Sequence, residues 1–120
     1  EIGRVVSVID VKRNAVIEAI KIERPRAKPK GVVVRPDGKR VYVATGGGHE
    51  VAVIDTATNK VLTYIKVGRR PWGLGITRDG SYLLTANGVS NDVSVIDTAT
   101  DTVIATIPVG KGPWGVAIGP

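Results

Sequence analysis

The chain has 120 residues, of which 42% are hydrophobic, and a formal net charge of +6. It contains no cysteine, which excludes a disulfide framework and thiolate chemistry but leaves the cellular compartment undecided. Its longest apolar runs fall far short of the roughly twenty residues that span a bilayer, so we expect no membrane anchor.

Short stretches rich in β-branched residues, separated by Gly, Asp, Asn and Pro, predict strands and tight turns along the whole chain. Residues 1–22 are expected to form two strands, which are the third and fourth of a partial unit. Residues 29–67 and residues 71–109 are each expected to form four strands, with an Asp-Gly turn between the first strand and the second. Residues 113–120 contain one more strand, near residues 115–118. No segment has sustained helical spacing, so the sequence predicts an all-β protein.

These strands belong to a repeat. The text VIDTATNK from Val53 recurs as VIDTATDT from Val95, and 95 minus 53 is 42. VGRRPWGLGI from Val67 and VGKGPWGVAI from Val109 keep the same offset, while the first, diverged copy is shifted by three residues in the loop ERPRAK. A period near forty residues with four strands in each unit is typical of the blades of a β-propeller.

The number of predicted strands does not fit a closed ring. Two strands, two complete blades and one further strand make eleven, which is not a whole number of four-stranded blades. The start at Glu1, without Met or a signal segment, favours the same interpretation. We therefore expect a partial arc of a larger propeller, completed by further blades of the same polypeptide or of symmetry-related copies.

The repeat also resembles a known family. PDGKRVYVATGGGHEVAVIDTATNKVLTYIKVGRRPWGLGI is similar to the YVTN-type β-propeller repeat, and the text from RPWGLGI onwards is similar to periplasmic propellers associated with pyrroloquinoline quinone-dependent catabolism. The resemblance implies a propeller fold and a periplasmic or secreted location. The one cofactor that it implies is pyrroloquinoline quinone. It does not imply a particular chemistry, because one fold hosts many functions.

Cations cluster on one rim of the predicted propeller. Successive strands run up and down, so the links from fourth to first strands share a rim with the loops from second to third strands. An aromatic and cationic collar there would bind a flat anionic ligand. Alternatively, the two Trp are repeated wedges between blades, which their equivalent positions favour, and the cations are only solvated. We call the candidate ligand-binding residues the basic rim: Arg24, Arg26, Lys28, Lys30, Arg69, Arg70, Trp72, Lys111 and Trp114.

The stretch GGGHE raises two further hypotheses. A phosphate cradle needs a helix N-terminus behind its glycines, whereas a strand follows here at Val51, so we reject that function. His49, the only histidine, could join Glu50 in a metal site, but three or four ligands are normally needed. We expect instead an exposed loop histidine and no metal. The equivalent loop NGVSND, from Asn87, contains no histidine.

We predict no catalytic residues in this chain. There is no Cys and no His cluster, and Asp55 and Asp97 are expected to form turns at strand ends. The sequence favours a non-enzymatic binding scaffold that presents the basic rim to an anionic small molecule or a partner protein. The alternative is a fragment of a cofactor-handling or enzymatic, quinoprotein-related propeller whose chemistry lies in other blades. Nucleic acid fits less well, because the basic loops lack interleaved aromatic platforms.

Overall fold

The computed structural model describes residues 3–120, so Glu1 and Ile2 of the first predicted partial blade lie outside it. No helix in residues 3–120 is long and apolar enough to cross a membrane. This part of the chain contains ten strands and one short 3₁₀-helix: β1 (Val5–Asp10), β2 (Ala15–Lys21), β3 (Val32–Val34), β4 (Arg40–Ala44), the 3₁₀-helix (Gly46–Gly48), β5 (Glu50–Asp55), β6 (Lys60–Lys66), β7 (Pro71–Ile76), β8 (Tyr82–Asn87), β9 (Asp92–Asp97) and β10 (Thr102–Pro108).

The strands form three antiparallel sheets, each built from strands that follow one another in the chain. Blade 1 pairs β1 with β2, blade 2 has the order β3-β4-β5-β6, and blade 3 has the order β7-β8-β9-β10. A four-stranded antiparallel meander is the structure of a propeller blade. The prediction of an all-β protein made of propeller blades, present as a partial arc, is therefore confirmed.

Residues 115–118 do not form the predicted eleventh strand. In a blade, the first strand pairs with the second, and no described strand pairs with this segment. The segment nevertheless lies beside β7. A Cβ atom added at Gly75 would be 2.8 Å from Cγ1 of Val116, and one added at Gly73 would overlap the Trp114 carbonyl oxygen. It therefore lies against the first strand of blade 3 without belonging to a sheet.

The hydrophobic core lies between the blades. On one side of blade 2, Val43, Ala52 and Ile54 pack with Ile20 and Ile22 at the end of blade 1. On the other side, Tyr42, Val51 and Val53 pack with Leu83 and Ile96 of blade 3. Successive residues of β4 and β5 thus face opposite neighbours, as the period of two along a strand requires. Blade 2 is covered on both faces, whereas blades 1 and 3 are each covered on one.

Glycines allow the first strands of neighbouring blades to approach closely. A Cβ atom at Gly31 would be 2.6 Å from the Trp72 carbonyl oxygen, and one at Gly73 would overlap the Trp114 carbonyl oxygen. Because only glycine lacks a Cβ, only glycine fits where two backbones come this close. The same contact recurs 42 residues apart (73 minus 31), and it brings the links that enter successive blades together on one rim.

Candidate ligand-binding rim

Five residues of the basic rim line one cavity. The tryptophan cavity has a volume of about 380 Å³ and is bounded by Lys28, Lys30, Arg70, Trp72 and Trp114, with Gly31, Gly46 and Gly47 completing its walls. The links that enter blade 2, blade 3 and the segment after blade 3 all contribute to it. Residues up to 86 positions apart (114 minus 28) therefore share a single space.

A second cavity adjoins the first. The arginine cavity has a volume of about 530 Å³ and is lined by Arg26, Lys28, His49, Arg69 and Arg70, together with Gly47 and Val89. The two cavities share Lys28, Gly47 and Arg70. The cations that line them are exposed at the surface of this chain. The structure thus gathers seven of the nine basic-rim residues around two neighbouring spaces.

The two tryptophans contact each other. The ring centroids of Trp72 and Trp114 lie 4.4 Å apart with an interplanar angle of 37°. Trp72 also occupies the space that a Cβ atom on Gly88, in the same blade, would need. Trp114 is 74% exposed, and its ring is available for stacking. At the equivalent position of blade 2, Lys30 lays its aliphatic stem against Gly46.

Arg24 and Lys111 line neither cavity. The Arg24 guanidinium forms an ion pair with Glu50 at 3.0 Å and lies 3.9 Å from the centroid of the Tyr64 ring. This arginine therefore joins the loop before blade 2 to strands β5 and β6 of that blade, through a salt bridge and a cation–π contact. Lys111 is exposed in the link after blade 3. The structure does not bring these two cations to the site.

His49 differs from the exposed loop residue that we expected. Its backbone is left-handed (φ 60°), it is half-buried, and its Nδ1 accepts a hydrogen bond from the Arg70 backbone N–H at 3.0 Å. The 3₁₀-helix turns the loop back and directs the imidazole onto the link between blades 2 and 3. Within residues 3–120, no group of three or more His, Asp or Glu side chains could hold a metal ion. The histidine has a structural partner instead.

The His49 contact belongs to the repeat, and the sequence contained a signal for it. An offset of 42 places His49 on Asn91 and Arg70 on Gly112. In that next unit, Oδ1 of Asn91 accepts a hydrogen bond from the Gly112 N–H at 2.9 Å. A side-chain acceptor at this loop position therefore holds the following link in both units. Comparing the two loops residue by residue would have revealed it, because histidine and asparagine can both accept such a bond.

The link at Arg69 and Arg70 is held from the other side as well. The Arg69 N–H donates to the Ser90 hydroxyl at 2.8 Å, and the Arg69 and Arg70 carbonyls accept bonds from the Val89 and Gly88 amides. Buried Asn87 fixes this loop by donating to Asp92 at 2.8 Å and to Ser94 at 2.9 Å. The two guanidinium groups therefore start from a backbone held by blade 2 and blade 3 together.

On the opposite rim, the aspartates accept hydrogen bonds within turns. The Ser81 amide and the Thr77 hydroxyl lower the pKa of the Asp79 carboxyl to about 2 by donating hydrogen bonds to it. Asp97 accepts a bond from the Ala99 amide at 2.9 Å. Asp55 accepts one from Thr58 and forms an ion pair with Arg40 at 2.9 Å. Both strand-end aspartates thus have the turn-forming contacts expected of them, and Asp55 adds an ion pair across the sheet.

Comparison with known proteins supports the fold. No protein-family model and no curated protein sequence matches this chain. Among solved structures, hydrazine synthase from Kuenenia stuttgartiensis superposes with a TM-score of 0.91 and 29% identity, over 98% of this chain and 34% of its own. A Bacteroides fragilis protein described as a 6-phosphogluconolactonase gives 0.82 and 26%, over 96% of this chain and 36% of its own. This chain therefore spans about a third of the length of each structure.

Proposed function

We propose that this chain is part of a larger β-propeller that binds an anionic small molecule at the basic rim and contributes no catalytic group of its own. The observation that carries the proposal is the pair of adjoining cavities with shared cations, Lys28 and Arg70. Volumes of about 380 and 530 Å³ fall within the range of small-molecule sites, which is roughly 300–1,000 Å³. A concave site of this kind favours a small ligand over the surface of a partner protein.

The charge distribution supports an anion. Arg26, Lys28, Lys30, Arg69 and Arg70 line the two cavities. Clustered cations at a concave surface raise the local concentration of anions and strengthen charge-assisted hydrogen bonds to carboxylate or phosphate.

The exposed ring of Trp114 supports a ligand with a flat aromatic part. It lies in the same cavity as Lys28, Lys30 and Arg70, so one molecule could stack on the indole and pair with a cation. The resemblance to propellers associated with pyrroloquinoline quinone makes that aromatic acid the first compound to test. The same resemblance underlies a periplasmic or secreted location, which we include in the proposal.

Further blades of the same polypeptide would complete the ring. The chain spans about a third of each solved structure that it resembles. Moreover, Gly31 and Gly73 each meet the link of the next blade, whereas a Cβ atom added at Gly115 would meet nothing within 4 Å. Completion by symmetry-related copies is the alternative.

The proposal is tested by titrating pyrroloquinoline quinone into the full-length protein at 0.1 M and 1 M salt. We expect binding to weaken at high salt, where the Debye length falls from about 10 Å to about 3 Å. Lys28→Ala combined with Arg70→Ala should weaken it by about tenfold or more, because each removes a charge-assisted contact. Lys12→Ala combined with Lys111→Ala is the matched control, because both lysines are exposed and neither lines either cavity.

The control pair should leave the affinity nearly unchanged. Binding that responds neither to salt nor to the loss of Lys28 and Arg70 would mean that the basic rim is only a solvated surface, and the proposal would fail. A control pair that weakens binding as much as the test pair would assign the effect to net charge rather than to the two cavities.

A second candidate function rests on the comparisons. Both solved structures carry the names of enzymes, and each extends well beyond the part that this chain covers. This chain would then be a structural and ligand-positioning part of an enzyme whose chemistry lies in other blades. Clusters of histidine or carboxylate residues, or a haem-attachment motif, in the remainder of the full-length sequence would favour this function over a non-enzymatic scaffold.

A further inference from the structure

Arg70 has a backbone that suits glycine. Its φ is 54°, in the left-handed region that residues with a Cβ seldom adopt, and the equivalent residue of the next unit is Gly112, with φ 65°. Glycine would meet the backbone requirement of this link at lower energy. The arginine side chain at position 70 is therefore not explained by the conformation of the link.

The position of the Arg70 side chain offers a reason. Arg70 and Lys28 are the two cationic residues that line both the tryptophan cavity and the arginine cavity. Each cavity has at least one further cation of its own, Lys30 in the first and Arg69 in the second. A ligand with one acidic group can occupy only one cavity, whereas a ligand with two can engage both across the wall formed by Gly47 and Arg70.

His49 holds the backbone from which the Arg70 side chain extends. Its Nδ1 accepts the Arg70 N–H at 3.0 Å, so the link cannot rotate without breaking this bond. The equivalent bond from Gly112 to Asn91, at 2.9 Å, supports a residue that has no side chain to place. Both units therefore hold the link with the same kind of hydrogen bond to a backbone N–H. Only in the first unit does the residue that donates this bond carry a cationic side chain.

We infer that Arg70, oriented by His49, anchors a ligand that bears two acidic groups on an aromatic ring, with one group in each cavity. This inference rests on the proposed function and deepens it to a ligand class, an aromatic dicarboxylate. Trp114 stacks on the ring, Lys30 and Arg69 pair with the two ends, and Arg70 with Lys28 bridges them. His49 is a positioning residue, because it acts through the backbone of Arg70.

Two probes with the same aromatic ring system separate this inference from simple anion binding. Naphthalene-2,6-dicarboxylate and 2-naphthoate share a ring system and differ by one carboxylate. In the full-length protein at low salt, we expect the dicarboxylate to bind at least about tenfold more tightly, because the second carboxylate gains its own charge-assisted contact. Equal affinities would overturn the inference while leaving anion binding at the rim intact. Failure of both probes to bind would overturn the proposed function and this inference together.

Arg70→Gly is the decisive variant because the left-handed link accepts glycine. We expect its melting temperature to be unchanged or higher and its preference for the dicarboxylate over 2-naphthoate to disappear. A variant that folds and keeps the preference would overturn the role of Arg70.

The role of His49 is tested by rescue. His49→Ala should lose most of the preference for the dicarboxylate, and His49→Asn should restore it, because asparagine makes the equivalent bond at residue 91. Asn91→Ala is the matched control. It removes the same kind of bond from a link whose Gly112 carries no side chain, so the preference should remain. If His49→Asn behaves like His49→Ala, or Asn91→Ala loses the preference as well, His49 has no specific positioning role.

Discussion

Asp101 differs from the residues at the equivalent position of the other two units. The turn between the third and fourth strands of each unit contains a left-handed residue, which is Asn14 in the first unit, Asn59 in the second and Asp101 in the third. Asparagine and aspartate both tolerate this conformation. Only Asp101, however, brings a carboxyl group into a partly buried position, where its Oδ1 has no hydrogen-bond partner. Burial therefore raises the pKa of Asp101, and nearby Arg40 and Arg35 oppose that shift.

We predict that Asp101→Asn stabilises the protein at pH 7 and has little effect at pH 3. The pKa of Asp101 is higher in the folded state than in the unfolded state, so its contribution is most favourable when the carboxyl is protonated. It is lost as the pH rises from the usual pKa of 3.8 through the raised value. Thermal unfolding of the two proteins at both pH values measures this. The expected gain at pH 7 is a rise of about 2 °C in Tm.

A stabilisation that is equal at pH 3 and pH 7 would contradict this account, because an uncharged carboxyl has no ionisation cost to relieve. A loss of stability at pH 7 would show that attraction to Arg40 and Arg35 outweighs the burial of the carboxylate.

At the level of the strands, the first strand of each blade positions the residues of the basic rim. Gly31 and Gly73 allow this strand to lie against the link that enters the next blade, so Lys30, Trp72 and Trp114 occupy successive positions around one space. A larger residue at either glycine would push two blades apart at the point where the cavity walls join. The spacing of the strands and the shape of the tryptophan cavity therefore depend on the same contacts.

We predict that Gly73→Ala lowers the free energy of unfolding by about 1–3 kcal/mol, the usual cost of overpacking a well-filled contact. The added Cβ would overlap the Trp114 carbonyl oxygen, which is backbone and cannot move aside like a side chain. Gly110→Ala is the control, since a Cβ atom there meets nothing within 4 Å. Denaturant unfolding of both variants measures the difference. Equal stability of the two variants would be incompatible with this close approach.

At the scale of the whole molecule, the arc has two uncovered ends. Val5, Ile9 and Val16 are exposed on blade 1, and Ile104 and Ile107 are exposed on β10 at the other end. Apolar residues at both ends of a stack of blades are the faces that neighbouring blades cover in a closed propeller. The described residues thus have the surface expected of a partial arc of propeller blades.

We predict that Gly115→Ala destabilises the full-length protein by about as much as Gly73→Ala, again about 1–3 kcal/mol. Gly115 stands 42 positions after Gly73 (115 minus 73), so the link of the next blade should lie against it. Among residues 3–120, a Cβ atom at Gly115 would meet nothing within 4 Å. Unfolding of the full-length variant, with Gly110→Ala again as the control, decides the point. A neutral Gly115→Ala would mean that no blade docks there in the same way.

The sequence by itself determined the blades. Strand patterns, Asp-Gly turns and the 42-residue offset act over a few residues or repeat identically, so they can be read without knowing which segments meet in space. Gly38 and Gly80 have the positive φ values, 73° and 77°, that the turns require. Because strands alternate in direction, the offset also assigned Lys28, Arg70 and Trp114 to one rim. Residues 115–118 do not form a strand, because a strand needs a ladder partner and no described segment pairs with them.

Tertiary structure alone decided which rim residues meet. Arg24 and Arg26 are two positions apart in one loop, yet Arg24 pairs with Glu50 and Tyr64 while Arg26 lines the arginine cavity. The bond from Arg70 to His49 joins groups that are 21 positions apart in the chain, and it depends on the left-handed turn that each residue makes. Side-chain contacts between loops are set by a few backbone angles and by the packing of two blades. The 42-residue offset therefore marks His49 and Asn91 as equivalent positions but does not show which link each of them contacts.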